Sequence, residues 1–295
     1  MQYVYCRPQG GLNDILNVTA HNIDYCQRYN RTLLLDVSDT YNVDMCEYLK
    51  LTGANITIIS GKDQIRALLV SLDAATTVWQ KESAIPSGNL EELLTCPVQW
   101  GPDGQFRFRA SGMISNYERG CGSYTEDILY CIACGGGKKS HTLWRDYVTL
   151  SDEVRTSFVE KHRQMGHQPF SSIQVRNTDH KCDYKNLDLE QLLTNVYVAT
   201  DDPDVVTYFK EHLVGHTVFN FTTFPDKPSR NLHTNRSIDG KTRMFDTIHD
   251  LLFLAISNKI VSISKGGYIQ LARYIQKSNI YHIDDLTLTP ASIVV

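Results

Sequence analysis

A group of charged and polar side chains follows a short apolar segment in the second half of the chain. The segment SSIQV, residues 171–175, has the composition of a buried strand, and Arg176 and Asp179 come directly after it. A guanidinium carries paired N–H donors that match two oxygens of a phosphate, and a nearby carboxylate can hold it in one orientation. The pattern predicts a phosphate-binding site, with a surface ion pair between Arg176 and Asp179 as the alternative.

Two more carboxylates follow the strand-like segment NVYVAT. Asp201 and Asp202 end this segment, and a helical pattern begins at Pro203. Either acid can cap that helix. Asp202 and Asp204 also form a D-x-D pair, but Asp204 would lie in the first turn of the helix, where the two carboxylates do not converge on one ion. We therefore expect no bound metal at this position.

Glycine-rich turns join strand and helix at two other places, RPQGGLNDIL and SISKGGYIQLA. Glycine lets the backbone approach a ligand closely, and the start of a helix attracts an anion. Each turn could therefore cradle a phosphate, or it could be a tight connection that binds nothing. The residues that this reasoning selects are Gly10, Gly11, Asn13 and Asp14 in the first turn and Ser264, Lys265 and Gly266 in the second.

The elements that must position these residues alternate between strands and helices. The first 36 residues read as a strand, a helix and a second, continuously apolar strand. From residue 171 onward, strand-like segments again alternate with helical ones, and NLDLEQLLT predicts a short helix among them. Such alternation indicates parallel sheets with right-handed crossovers, and ligands bind at the carboxyl ends of strands in sheets of this kind.

The length and the placement of these two regions predict two domains. The chain has 295 residues, and a typical domain has about 150. An irregular stretch rich in Gly, Pro and Ser separates the two alternating regions from about residue 76 to 137. We expect an α/β protein with two Rossmann-like domains, one at residues 1–158 and one at residues 159–295.

The composition excludes several classes of protein. Hydrophobic residues make up 42% and charged residues 21%, and the net charge is −4, which argues against a nucleic-acid partner. The sequence contains no apolar run long enough to span a membrane and no signal-peptide pattern, so we expect a cytoplasmic protein whose eight cysteines are thiols. Cys131 and Cys134 form a single C-x-x-C, without the second pair that a zinc ribbon needs.

The order of four segments resembles a known superfamily. GGLND, VRNTDHK, VYVATDDPDVV and DLLFLAISNKIVSISKGGYIQLA are similar to motifs of the fucosyltransferase-like GT-B glycosyltransferases. This group includes α-1,6-fucosyltransferases, nodulation fucosyltransferases and protein O-fucosyltransferases. The resemblance implies two Rossmann-like domains that face a central cleft, the first on the acceptor side and the second binding a sugar nucleotide. It also implies inverting, metal-independent transfer of a sugar, fucose in the family, to a glycan hydroxyl.

The resemblance assigns roles to individual residues. Arg176 matches the arginine that grips the β-phosphate of the donor, and Asp250 matches an acid that helps to hold guanine. Without a metal, positive groups must stabilise the leaving diphosphate, and Lys241 or Arg243 could assist Arg176. Asp14 and Asp183 are the candidates for the general base. The donor-binding set is Gly10, Gly11, Asn13, Gln174, Asp179, Asp201, Asp202, Arg243, Asp250, Ser264, Lys265 and Gly266.

The chain departs from the family motif at three positions. Gln174 replaces a histidine, Asn177 replaces a second arginine, and His180 replaces a lysine. Another donor, such as UDP-xylose or a GDP- or UDP-linked rhamnose or hexose, is therefore the alternative to GDP-fucose. A catalytically degenerate glycan-binding module is the second hypothesis. The absence of G-x-x-x-x-G-K-[ST] argues against a kinase.

Overall fold

The computed structural model shows two compact units. The first combines Met1–Glu47 with Leu51–Tyr147, and the second combines Tyr48–Lys50 with Val148–Val295. The residues that the structure describes are 1–72, 90, 124–178, 181–225, 232 and 235–281, together with the backbone of 77–80, 83–86, 98–100, 106–108 and 112–113.

The first unit contains a six-stranded sheet with helices in its connections. Its strands are β1 (Tyr3–Pro8), β2 (Thr32–Leu35), β4 (Ile58–Ser60), β5 (Thr77–Gln80), β6 (Ser83–Pro86) and β10 (Ile128–Ala133). Its helices include α1 (Leu12–Tyr29), α2 (Ser38–Tyr41), α3 (Lys62–Ser71) and α4 (Lys139–Asp146). The strand order is β4-β2-β1-β10-β5-β6, and neighbouring strands are parallel except for β5 and β6.

Burial explains the centre of this sheet. Every residue of β1, β2 and β10 is buried, as expected for strands covered on both faces. The predicted β-α-β unit at the N-terminus is confirmed as β1, α1 and β2. Strand β10 lies inside the stretch that the sequence left unassigned, and it pairs with β1 along its whole length.

The second unit contains a four-stranded sheet in which all neighbours are parallel. Its strands are β12 (Phe170–Val175), β13 (Asn195–Thr200), β14 (Thr217–Phe219) and β15 (Lys259–Val261), in the order β14-β13-β12-β15. Its helices include α5 (Asp152–Gln164), α6 (Pro203–His212), α7 (Gly240–Ile256) and α8 (Gly267–Ser278). Because β12 lies between β13 and β15, the carboxyl ends of these three strands are adjacent.

Small sheets are formed by other strands. Strand β3 (Leu49–Leu51) pairs with β11 (Val148–Leu150), and β7 (Val98–Trp100), β8 (Phe106–Phe108) and β9 (Gly112–Met113) form an antiparallel sheet.

The junction between the two units lies before the predicted boundary at residue 158. It falls between Tyr147 and Val148, so α5 belongs to the second unit. The reason is packing: the ring of Phe158 on α5 lies 4.6 Å from that of Phe253 on α7, centroid to centroid, and both side chains are fully buried. A helix that shares its core with α7 has to be counted with the second sheet.

The predicted short helix at NLDLEQLLT is wrong. The structure has a 3-10 turn at Tyr184–Asn186 and irregular backbone from Leu187 to Thr194. The Asp188 carboxylate accepts a hydrogen bond from the Glu190 amide at 3.0 Å, and Gln191 has a φ of 59°, outside the helical region. These local contacts replace the amide-to-carbonyl bonds that a helix would need.

Candidate functional site

The carboxyl edge of the second sheet brings together most of the polar residues that the sequence predicts there. Arg176 follows the last residue of β12, and its side chain is exposed, whereas the next residue, Asn177, is buried. Asp201 and Asp202 follow β13, the neighbour of β12 on one side. On the other side, the connection from β15 leads through Ser264 to α8. The arrangement therefore presents one exposed guanidinium between an acidic strand end and a helix start.

Asp201 and Asp202 hold the turn that carries Arg176. The Asn177 amide donates to Asp201 Oδ1 at 2.7 Å, and the Thr178 hydroxyl donates to Asp201 Oδ2 at 2.6 Å. The Asn177 side-chain amide donates to Asp202 Oδ2 at 2.7 Å. Asp202 also caps α6, since its Oδ1 accepts from the Asp204 amide at 3.0 Å. The capping role predicted for Asp202 is confirmed, and both acids position the backbone next to Arg176.

Gln174 joins β12 to the turn that follows β15. The Ser262 hydroxyl donates to Gln174 Oε1 at 2.7 Å, and the Ser264 amide donates to the Ser262 hydroxyl oxygen at 3.1 Å. The Gly266 amide in turn donates to the Ser264 hydroxyl oxygen at 3.2 Å. Sequence reasoning missed Ser262, although a serine between two apolar residues directly after a strand is a signal for a hydrogen-bonded side chain.

Helix α8 begins at this turn without a side-chain cap. Its N-cap is Gly266, which has extended backbone and no side-chain hydrogen bond to the first amides of the helix. Lys265, one residue earlier, is exposed. Amides at the start of a helix carry a partial positive charge, and a cap or a bound anion satisfies them. The turn thus has the donors that a phosphate group requires.

Asp250 lies on α7, and its carboxylate accepts hydrogen bonds from two hydroxyl groups. Its Oδ1 accepts from the Tyr197 hydroxyl at 2.5 Å, and the Thr222 hydroxyl donates to Oδ2 at 3.1 Å. Burial and, to a smaller extent, the nearby Asp246 carboxylate raise the pKa of the Asp250 carboxyl to about 7, although these hydrogen bonds act in the opposite direction. The carboxyl group therefore changes its charge near neutral pH.

The two cations predicted near the start of α7 have protein partners. Arg243 is buried, and its Nε donates to the Ile238 carbonyl oxygen at 3.1 Å. Lys241 is exposed, pairs with Glu153 and lies 5.6 Å from the centre of the Phe245 ring. Each cation thus helps to hold the beginning of α7.

Of the remaining predicted residues of the second unit, Asp179 lies outside the described part of the chain, together with His180. Asp183 is exposed and precedes the 3-10 turn at Tyr184–Asn186. The Asn186 side-chain amide donates to Asp183 Oδ2 at 2.6 Å. This carboxylate is accessible to solvent, as a general base must be to substrate.

In the first unit, the predicted glycine turn packs closely against the end of β10. Gly10 has a φ of 99°, and a Cβ there would lie 2.7 Å from Cys134 Sγ and 2.9 Å from Asp14 Oδ2, so glycine is required. Asn13 is buried and its Oδ1 accepts from the Ser140 hydroxyl at 2.7 Å. Burial and the Asp14 carboxylate raise the pKa of the Cys134 thiol to about 11, so this thiol stays protonated.

A buried ion pair that sequence reasoning missed lies at the end of β1. Arg7 is 3% exposed, and its Nε and Nη2 donate to Asp39 Oδ2 at 3.0 and 2.8 Å. Gln9 donates to the same oxygen at 2.7 Å, and Arg7 Nη1 donates to the Tyr130 hydroxyl at 3.3 Å. An arginine inside the buried strand YVYCRP was the available signal, because a buried charge needs a partner.

Metal-binding and membrane-spanning features are absent from the residues that the structure describes. Nowhere among them do three or more His, Cys, Asp or Glu side chains form a group that could hold a metal ion. None of the described helices combines the length and the apolar character that crossing a bilayer demands.

Comparison with known proteins identifies the fold. Neither the known family models nor the curated proteins include a match to the sequence. Among solved structures, NodZ alpha-1,6-fucosyltransferase co-crystallised with GDP has 15% identity, covers 92% of this chain and 91% of its own, and has a TM-score of 0.58. NodZ from Bradyrhizobium has 15% identity, 92% coverage of both chains and a TM-score of 0.55. POFUT1 in complex with GDP has 10% identity, 95% and 96% coverage, and a TM-score of 0.51.

Sequence identities this low are informative about the fold alone. The structural similarity extends over nearly the whole chain. The parallel sheets of both units agree with it. The expectation drawn from the four motifs is thereby confirmed for the architecture: this chain has the mixed α/β fold of the fucosyltransferase-like GT-B glycosyltransferases.

Proposed function

We propose that the chain is a glycosyltransferase that moves a sugar from a nucleotide diphosphate sugar to a glycan hydroxyl, with inversion and without a metal. One observation carries the proposal. Arg176 is exposed on a turn that Asp201 fixes through two hydrogen bonds, at the edge of the sheet where parallel α/β folds bind their ligands. The fold, shared with enzymes of this class, supports the same reaction.

The proposed chemistry follows from the charge on the leaving group. When the bond between sugar and phosphate breaks, negative charge grows on the diphosphate, and donors that are already in place stabilise it at least cost. Arg176 supplies a forked pair of N–H groups, and the start of α8 near Gly266 supplies backbone amides. Ser264 and Lys265 lie on the same turn. In this proposal, residues of the second unit bind the donor, and those of the first unit serve the acceptor.

For the donor we propose GDP-fucose. The supporting observation is that solved structures with this fold bind GDP or GDP-fucose. UDP-xylose and GDP- or UDP-linked rhamnose or hexose are the alternatives, because Gln174 and Asn177 replace family residues and bond to Ser262 and Asp202 respectively. We propose that Asp250 helps to bind the nucleobase of the donor, as its position in the family motif implies.

The acceptor hydroxyl must lose a proton, and we propose a carboxylate as its general base. Asp14 and Asp183 are the two candidates. Asp14 lies beside the glycine turn, with its Oδ2 2.9 Å from where a Cβ of Gly10 would stand, and its Oδ1 is 3.5 Å from the corresponding position at Gly136 in the loop after β10. Asp183 is exposed on the loop that follows β12. A cytoplasmic location and a glycan acceptor complete the proposal.

A direct test combines binding with turnover. Purified protein is screened by thermal shift against GDP, UDP, GDP-fucose, UDP-xylose, GDP-rhamnose and UDP-glucose, since a ligand that binds the folded state raises the apparent stability. Each ligand that shifts the transition is then tested for hydrolysis and for transfer to a glycan panel, with and without EDTA. Transfer that survives EDTA supports the proposal. Binding without turnover would favour the glycan-binding module, and loss of transfer with EDTA would contradict the metal-free mechanism.

A further inference from the structure

A backbone segment after β14 is held by side chains from two helices. This segment, residues 220–223, continues β14 beyond its carboxyl end, at the same edge of the sheet as Arg176. Its first residue, Asn220, donates through its side chain to the Val198 carbonyl oxygen of β13 at 2.8 Å and to the Thr222 hydroxyl oxygen at 3.2 Å. The segment is therefore fixed, although it has left the sheet.

Lys161 on α5 and Asp246 on α7 provide the other contacts. Lys161 Nζ lies 3.2 Å from Asp246 Oδ1 and donates to the Phe221 carbonyl oxygen at 3.4 Å. Asp246 Oδ2 accepts a hydrogen bond from the Thr223 amide at 2.8 Å. Lys161 Nζ also lies 5.9 Å from the centre of the Phe221 ring. One ion pair thus binds a carbonyl and an amide two residues apart.

The environment makes this pair more than a surface salt bridge. The side chains of Lys161 and Asp246 are only 22% and 10% exposed. Exposed ion pairs contribute little because water screens them, whereas charge-assisted hydrogen bonds in partly buried positions are stronger and better oriented. Loss of Lys161 would remove a hydrogen bond to the Phe221 carbonyl oxygen, and loss of Asp246 would remove the hydrogen bond from the Thr223 amide.

Residues 220–223 lie next to the proposed diphosphate site, where the nucleoside part of the donor would be. Strands β12 and β15 lead to the groups proposed for the diphosphate, β13 ends in the acids that fix the Arg176 turn, and β14 is the next strand beyond β13. Adjacent strands are about 4.8 Å apart, so the segment is within reach of a nucleoside attached to that diphosphate. Exposed Thr223 and partly exposed Phe221 and Thr222 offer it a ring and hydroxyl groups.

We infer that Lys161 and Asp246 are positioning residues for the donor: they fix residues 220–223 so that this segment can bind the nucleoside part of a sugar nucleotide. The inference rests on the proposed function. It assigns these two residues to donor affinity, separate from Arg176, which acts on the leaving diphosphate. Accordingly, their loss should raise KM for the donor and leave kcat near its original value.

The test uses variants of the full chain. Asp246→Asn keeps an oxygen that can accept from the Thr223 amide but removes the charge, and Lys161→Met removes the ammonium while keeping the length of the side chain. Lys161→Arg restores a positive charge. Lys210→Met, which replaces an exposed lysine on α6, is the matched control. Far-UV circular dichroism first establishes that each variant is folded.

Two readouts separate the positioning role from the proposed function. Hydrogen exchange of a peptide covering residues 220–225 reports the segment without any ligand, and calorimetric titration with GDP and with UDP reports binding. We expect Lys161→Met and Asp246→Asn to exchange faster and to bind the preferred nucleotide about tenfold more weakly, the loss expected for one charge-assisted contact. Lys161→Arg should recover most of the affinity, and Lys210→Met should match the wild type.

Other results would overturn the inference. Unchanged exchange in both variants would show that the pair does not fix the segment. Faster exchange with unchanged affinity would show that the segment does not serve the donor, and so would a lower kcat with unchanged KM. If the wild type binds no nucleotide or sugar nucleotide at all, the proposed function fails and the donor role of the pair fails with it, while the exchange result still decides whether the pair holds the segment.

Discussion

Two arginines occupy equivalent places in the two sheets and meet different surroundings. Arg7 lies near the carboxyl end of β1, and Arg176 follows the carboxyl end of β12. Arg7 is buried, and its three hydrogen bonds to Asp39 are all shorter than 3.1 Å. Arg176 is exposed, and the nearby Asp201 binds the backbone and side chain of the following two residues. The same residue type at the same topological position thus has two different environments.

The difference teaches that two arginines at the carboxyl ends of parallel strands, the edge where such sheets bind ligands, can have very different exposure. Asp39 neutralises Arg7 and locks it into the protein. Asp201 accepts hydrogen bonds from the Asn177 amide and the Thr178 hydroxyl, and these bonds orient the turn around Arg176. The first arginine should therefore matter for stability, and the second for reaction with an anionic substrate.

The largest expected effect concerns the buried pair. Besides Asp39, the buried Asp36 carboxylate lies 3.9 Å from Arg7 Nε. Arg7→Met leaves both carboxylates without their cation, and we expect the free energy of unfolding to fall by about 3–5 kcal/mol, the usual cost of an unpaired buried charge. Urea denaturation measures it. Arg7→Met combined with Asp39→Leu should recover much of the loss. A single variant within about 0.5 kcal/mol of the wild type would contradict the structural role.

Loss of the exposed arginine should reduce activity and leave stability almost unchanged. Arg176→Ala should reduce transfer by about 10²–10³-fold, or about 2.7–4 kcal/mol, as when one donor to a developing negative charge is lost. Its free energy of unfolding should change by less than about 0.5 kcal/mol. Initial rates with the accepted donor measure the first quantity. Arg145→Ala, which removes another exposed arginine, is the control and should leave transfer unchanged. Full activity of Arg176→Ala would break the comparison.

A third charged group sharpens the contrast, because Asp250 is half-buried and its carboxylate bonds to the hydroxyl groups of Tyr197 and Thr222. Burial raises its pKa to about 7, above the value of about 3.9 in an unfolded chain. A raised pKa means that the folded state holds the proton more tightly, so the stabilisation is complete below about pH 4 and is lost as the pH rises to 7. In Asp250→Asn this dependence should disappear.

Urea denaturation of wild type and Asp250→Asn across this pH range gives the comparison, and the difference between the two proteins should change by about 2–4 kcal/mol. His162 and His249 titrate in both proteins. Burial lowers their pKa values to about 4 and about 3, so they destabilise the fold as the pH falls below about 6.5. Their effect cancels in the difference. Parallel curves for the two proteins would mean that Asp250 has an ordinary pKa.

The smallest effect should come from Asp201. Asp201→Ala removes the hydrogen bonds to the Asn177 amide and the Thr178 hydroxyl, and we expect a loss of about 1–2 kcal/mol in stability. Transfer should fall about tenfold, because Arg176 is still present but less well oriented. Steady-state rates measure the loss of transfer, and thermal unfolding measures the loss of stability. A loss of transfer as large as that of Arg176→Ala would show that Asp201 itself contacts the substrate.

Local patterns predicted much of the second unit. The sequence NVYVAT is β13 without a residue of error, and Pro203 begins α6 with Asp202 as its cap. Such features depend on neighbours within a few residues, where apolar runs and capping side chains are decisive. NLDLEQLLT failed because its helical spacing competes with a local aspartate turn and with contacts from distant residues, such as Lys259, which bonds to the Glu190 carbonyl.

What the sequence by itself determined is the alternation of strands and helices and the polar residues that end the strands. The tertiary structure decided which partner each charge has. Arg7 and Asp39 are 32 residues apart, Asn177 and Asp201 are 24 apart, and Lys161 and Asp246 are 85 apart. Hydrogen bonds form only within a few tenths of an ångström of their preferred distance. That precision comes from the packing of several elements together, so the carboxylates that bind Arg7 could not be identified along the chain.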